Sequence, residues 1–160
     1  MVTERELYAL MGEISIKFSN IEFFAGQMLN KLIDADDPLA GNIVTDSMTL
    51  GQKLRMMLRL SKHRFPDDPQ IDEAVKSMVA DIDELREIRN SFTHGHWEIR
   101  KDTLAQVFGI CCRAGSTEFE GGHERVWTLE DLANINQRAG RLLVKMEKYI
   151  AESNGTLEEE

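Results

Sequence analysis

Apolar residues recur at alternating intervals of four and three along four stretches of the chain, and that spacing predicts four helices, each with one buried stripe. The first stretch carries Leu7, Met11, Ile14, Phe18, Ile21, Ala25, Met28 and Leu32, and Phe23 and Phe24 widen its apolar surface. A surface that wide calls for more than one partner helix, one of which can come from a second subunit. Thr3 followed by Glu6 has the form of a capping box at the start. Asp34 to Gly41, with Asp36-Asp37-Pro38 inside it, reads as a loop.

The second helix is expected from Met48 or Thr49, burying Leu50, Leu54 and Met57 or Leu58 before breaking at Pro66. Asp67-Asp68-Pro69 is a turn that opens the third, which runs to Thr93 or His94 on a stripe of Ile71, Val75, Met78, Ile82, Leu85 and Phe92. Thr128 with Asp131 opens the last, whose stripe is Leu132, Ile135, Ala139, Leu142, Met146 and Tyr149 and whose end is Asn154-Gly155. The frequent methionines in these stripes read as flexible core filling.

Between the third and last helices the period changes to two. Trp97 and Ile99 alternate with Glu98 and Arg100, Leu104 to Cys112 is an apolar run, and Thr117 to Thr128 alternates again around Gly121-Gly122. With turns at Arg100 to Thr103 and Ala114 to Ser116, this is a three-stranded antiparallel meander. The expected fold is therefore mainly α: a four-helix bundle with a small β-meander inserted before the last helix. Residues 1–155 form a single domain and 156–160 a disordered acidic tail.

At 160 residues and 42% apolar content, the chain is the size of one domain with a real core. It has no apolar run of membrane-spanning length, and charges recur from Glu4 and Arg5 onward, so a cytoplasmic protein without membrane contact is expected. The adjacent Cys111 and Cys112 point to a reducing compartment. A net charge of −9 counts against a general nucleic-acid binder. Yet Ser47 to Pro66 lacks Asp and Glu and carries Lys53, Arg55, Arg59, Lys62 and Arg64. Arg55, Arg59 and Lys62 form a stripe on one helix side. Either they are a solvated face paired with Asp67, Asp68, Asp72 and Glu73, or they are a track for a phosphate backbone leading to an Arg/His site.

That site lies in Leu85-Arg86-Glu87-Ile88-Arg89-Asn90-Ser91-Phe92-Thr93-His94-Gly95-His96-Trp97. Arg89 falls on the third helix's apolar stripe. A guanidinium cannot lose its proton, so beside a core it requires water, a carboxylate or a ligand phosphate. Arg86, Asn90 and His94 share a face, whereas Arg89 and His94 stand about 140° apart on an ideal helix. For those two to act on one group, the helix must loosen at its end, and Gly95 favours such an ending.

Arg89-Asn90, three residues and His94 resemble the motif of the HEPN superfamily, an Arg followed by a His after four to six residues. These are small all-helical domains, many of them metal-independent ribonucleases. The resemblance implies RNA cleavage by attack of a ribose 2′-hydroxyl on the adjacent phosphate, with Arg89, Asn90 and His94 catalytic and no cofactor. His94 then moves a proton, Arg89 holds the phosphate, and Asn90 positions either one. Arg86, His96, Arg55, Arg59 and Lys62 are the candidate RNA contacts. The resemblance also implies a homodimer, because two motif copies supply both protonation roles, and a toxin or defence setting with an antitoxin or other protein partner.

Other readings stay open. A histidine in a last helical turn is favoured by the helix dipole, and Arg89 can bridge to Glu22, the acidic residue beside the first-helix stripe. His94 and His96, with His123, can be aligned as metal ligands, but no Cys or carboxylate is set beside them. Some members of the resembled family carry Tyr two residues after the motif His as a target of nucleotide transfer; here that residue is His96. Two other function classes compete with the nuclease: a non-catalytic RNA- or nucleotide-binding module, and a structural dimerisation or protein-partner domain with an acidic surface.

Overall fold

The computed structural model describes residues 4–33, 38–101, 107–113 and 124–155; within these, side chains of residues 38, 91, 92, 94–96, 100, 101, 107–113, 124, 125 and 153–155 are not among those described. The described chain is mainly helical: α1 (Glu4–Ile33), α2 (Pro38–Asp46), α3 (Leu50–Arg64), α4 (Pro69–His94), then β1 (Gly95–Lys101), β2 (Val107–Arg113), β3 (Glu124–Thr128) and α5 (Leu129–Gly155). The chain divides into two compact units, Met1–Phe18 with Leu85–Ala139 (unit 1) and Ser19–Glu84 with Gly140–Glu160 (unit 2).

The four expected helices form because their stripes have somewhere to go. In unit 1 the core is Leu7, Ile14 and Phe18 of α1, Leu85 and Ile88 of α4, Trp127 of β3, and Leu132, Ile135 and Ala139 of α5. In unit 2 it is built from Ile21, Ala25, Met28, Leu29 and Leu32 of α1, Leu50, Leu54 and Met57 of α3, Val75, Met78, Val79 and Ile82 of α4, and Leu142 and Met146 of α5. Of the two candidates on α3, Met57 is buried and Leu58 is exposed. Each large side chain so buried contributes roughly 1.5–3 kcal/mol before the entropy of ordering it.

The helix starts follow from their caps. Thr49 accepts from the Gln52 amide while the Gln52 side chain accepts from the Thr49 amide, closing a capping box on α3. Asp68 accepts from the Gln70 and Ile71 amides ahead of α4, and Thr128 and Asp131 exchange hydrogen bonds at the head of α5. The Thr3 cap expected for α1 lies outside the described residues.

One expectation is corrected. Asp34 to Gly41 is not loop throughout, because α2 begins at Pro38. Proline preceded by acidic residues signals a turn but is equally suited to a first helical position, where its missing N–H costs nothing.

β1, β2 and β3 form one sheet in that order, antiparallel, with β1 running from Gly95↔Arg113 to Lys101↔Val107 and β3 from Phe108↔Thr128 to Cys112↔Glu124. Arg100 and Lys101 belong to β1 and not to the expected turn. The turn at Ala114–Ser116, Gly121-Gly122, His123 and the tail 156–160 lie outside the described residues.

In unit 2, α3 and α4 are joined by a polar contact: the fully buried Ser61 hydroxyl donates to Asp72 Oδ1 at 2.8 Å. Lys76, 2.7 Å from Oδ2, and then Ser61 hold the Asp72 carboxyl below its usual value of 3.8. A depressed carboxyl stabilises the fold above its unfolded pKa and loses that contribution as pH falls through the native value. Ser61→Ala is therefore expected to lower stability in urea unfolding more at pH 7 than in acid, the difference shrinking as the pH falls below the ordinary carboxyl value of 3.8. An equal loss at pH 7 and in acid would refute the linkage.

Candidate functional site

The end of α4 carries the motif, and unit 1 holds all of it. Leu85 and Ile88 are buried and anchor this last part of the helix. Arg89, next to Ile88, is half-buried, as is Asn90. The apolar stripe thus passes through Ile88 while Arg89 stands at its margin, so the guanidinium is not sealed inside.

Arg89 Nη1 donates to Asn90 Oδ1 at 3.4 Å, a long bond between neighbours. Among the described residues of unit 1, no carboxylate pairs with Arg89. The Thr93 hydroxyl donates to the Arg89 carbonyl at 3.0 Å, a back-bond one turn earlier in the helix. Arg86 is engaged differently: its Nη2 lies 2.7 Å from Glu87 Oε1. That pair is partly exposed and contributes little to stability, but it sets an acidic group beside a residue expected to meet RNA.

His94 is the last residue of α4 and Gly95 the first of β1, so helix passes into strand with no intervening loop. His96 pairs with Cys112 in the ladder and Trp97 with Cys111. The His94 and His96 side chains lie outside the described residues, as does His123. Among the described residues, no group of three His, Cys, Asp or Glu could hold a metal.

Arg55, Arg59 and Lys62 are all exposed on α3, in unit 2. Of the acids that could have matched them, Asp68 caps α4, while Asp72 and Glu73 bond to Lys76. Among the described residues none of the three cations forms an ion pair, although Lys62 acts through space to lower the Asp72 pKa.

Lys53 behaves differently from the rest of this basic helix. It is 8% exposed, and its Nζ lies 3.6 Å from where a Cβ would stand on Gly26. The lysine side chain thus reaches across to α1, with its ammonium beside Gly26. The signal was in the spacing, since Lys53 stands three residues after Leu50 on the buried side.

No family model, curated protein or solved structure matches the chain. Among the described residues, no helix is long and apolar enough to cross a membrane.

A half-buried guanidinium that, among the described residues, is held by a neighbouring amide and by no ion pair carries a desolvation cost. Arg89→Met keeps the apolar stem and removes the charge. Urea unfolding is expected to show stability unchanged or raised by up to about 1 kcal/mol. A loss above about 2 kcal/mol would mean that the fold itself needs the charge.

Proposed function

We propose that this chain is a metal-independent endoribonuclease of the HEPN type. The observation that carries the reading is Arg89: a permanent cation at the margin of the core, bonded to Asn90 and paired with no carboxylate of its unit among the described residues. A phosphate is the partner such a planar fork of donors suits.

In the proposed reaction a ribose 2′-hydroxyl attacks the adjacent phosphorus. One imidazole takes the hydroxyl proton, the bond from phosphorus to the 5′-oxygen breaks, and a second imidazole protonates that oxygen. The products are a 2′,3′-cyclic phosphate and a 5′-hydroxyl. Arg89 stabilises the charge building on the phosphoryl oxygens, and Asn90 orients Arg89. His94 is the proton-transfer group, and a second copy supplies the second imidazole, so the working form is a homodimer. In this reading the four long helices pack as a bundle, with α2 as a short addition and the sheet as a meander before α5. The setting is cytoplasmic, as a toxin or defence component restrained by an antitoxin or other protein.

The exposed, unpaired stripe of Arg55, Arg59 and Lys62 favours RNA as the ligand, and it is equally suited to a binding module without catalysis. One assay separates the two. With a dye-labelled RNA and EDTA present, wild type is expected to cleave, and His94→Ala to lose on the order of 10²–10⁴-fold in rate while RNA affinity stays within a few fold. Wild type that binds but does not cleave supports the binding module, and wild type that neither binds nor cleaves at low salt removes both.

The stripe has its own test. Replacing Arg55, Arg59 and Lys62 together by Gln is expected to weaken RNA binding and flatten its salt dependence by up to about three phosphate contacts. An unchanged salt slope would take the stripe out of the RNA path.

A further inference from the structure

The register of the sheet brings together residues that the sequence keeps apart. Positions paired across neighbouring antiparallel strands share a face, and successive positions along a strand alternate between faces. His96 of β1 pairs with Cys112 of β2, and Cys112 pairs with Glu124 of β3. The three therefore occupy one row across the sheet, all within unit 1. Spacing along the chain sets no Cys or carboxylate beside His96, whereas the register supplies one of each.

Five rows cross all three strands, and none of the other four holds more than one His, Cys, Asp or Glu. Three donors in a single row are thus not the general polarity of a surface. Parity assigns that row to a face. It lies two positions from Glu98 and Val126, which are exposed, whereas Trp127, of the opposite parity, is 3% exposed. The row falls on the face away from the core of the unit, where an ion can arrive from water.

The order of the residues suits one shared ion. Neighbouring strands stand about 4.8 Å apart, so His96 and Glu124 flank Cys112 at about that distance on either side. The shortest of the three side chains is on the middle strand, and the two long enough to span a strand spacing are on the outer ones. An ion over the middle strand needs about 2.3 Å to a thiolate, about 2.0–2.1 Å to an imidazole and about 2.0–2.2 Å to a carboxylate. With cysteine on an outer strand its sulfur would be too short to share that ion.

We infer that His96, Cys112 and Glu124 form a site for a divalent transition metal of the zinc type on the outer face of the sheet. A thiolate with an imidazole selects such a metal over Mg2+ or Ca2+, which take oxygen ligands. Three protein ligands leave the fourth tetrahedral position to water. The next pair in the ladder is Gly95↔Arg113, so the ion ties β1 to the other two strands one residue past the junction at His94. The inference stands on the register and not on RNA cleavage. None of the three ligands moves a proton in the proposed reaction, and the test is read without RNA, so either can fail without the other.

Tag-free full chain, reduced and stripped of metal, is titrated with Co2+ and then with Zn2+. Wild type is expected to take up one equivalent of Co2+ with a thiolate-to-metal charge-transfer band, and Zn2+ to displace it. His96→Ala, Cys112→Ser and Glu124→Gln are each expected to weaken binding at least about tenfold, and Cys112→Ser to abolish the band. Cys111→Ser, one position along and on the other face, is expected to leave both unchanged. In the unaltered chain Zn2+ should slow iodoacetamide alkylation of Cys112 and not of Cys111, as read by mass spectrometry, which keeps the test valid if a variant misfolds. A wild type that binds neither ion overturns the inference. So does binding that survives the loss of His96, Cys112 or Glu124, or Zn2+ protection that falls equally on Cys111.

Discussion

Both units depend on the stripe along α1. Leu7, Ile14 and Phe18 enter the core of unit 1, while Ile21, Ala25, Met28 and Leu32 enter that of unit 2, all nearly or wholly removed from water. No local propensity holds thirty residues in one helix against the entropy of ordering them. The burial of these side chains in register does, at roughly 1.5–3 kcal/mol for each one larger than alanine. Both α4 and α5 repeat the arrangement, each giving apolar residues to both units. The end of α4 is held still by Leu85 and Ile88 in the same way, and the motif is built on that end.

How much of this was legible depended on whether a residue's environment is set by its near neighbours in sequence. Buried stripes and caps are local: the four/three spacing in α1, α4 and α5, and the Thr49, Asp68 and Thr128 starts, can be read from residues within one or two turns. Lys53 is half local. Its position marks it as inward-facing, but that its ammonium ends beside Gly26, far away in the chain, no local pattern says. α2 was missed because Asp36-Asp37-Pro38 reads as a turn, although the same proline suits the first position of a helix. The remainder of the meander lies outside the described residues, and alternation alone locates strands better than it locates their ends.

The site was legible as a motif and less so as geometry. Spacing put Arg89 on the buried stripe, whereas the structure fills that side with Ile88 and leaves Arg89 half-exposed. Spacing treats α4 as having one buried side, whereas Val75, Met78, Val79 and Ile82 are buried in unit 2 and Leu85 and Ile88 in unit 1, so the core that selects the inward residues changes along the helix. Arg86 was expected to be free for RNA but lies against Glu87, a neighbour whose influence spacing arguments ignore.

The junction between α4 and β1 bears most directly on chemistry. The backbone at His94 is fixed by helix on one side and by the Gly95↔Arg113 pairing on the other, with no loop residue to absorb movement. A side chain carried there can change only its own torsions, and Arg89, five residues earlier on the same rigid helix, has its backbone equally fixed. For the two to act together as proposed, the long, unbranched Arg side chain would be the adjustable partner. In the proposed reading a chain of net charge −9 repels RNA over most of its surface, so affinity would come from cations that, among the described residues, pair with no acid: Arg89 in unit 1 and the α3 stripe in unit 2. Under that reading, neutralising either one would cost more in binding than the same change on a basic protein, because no general attraction remains to mask the loss.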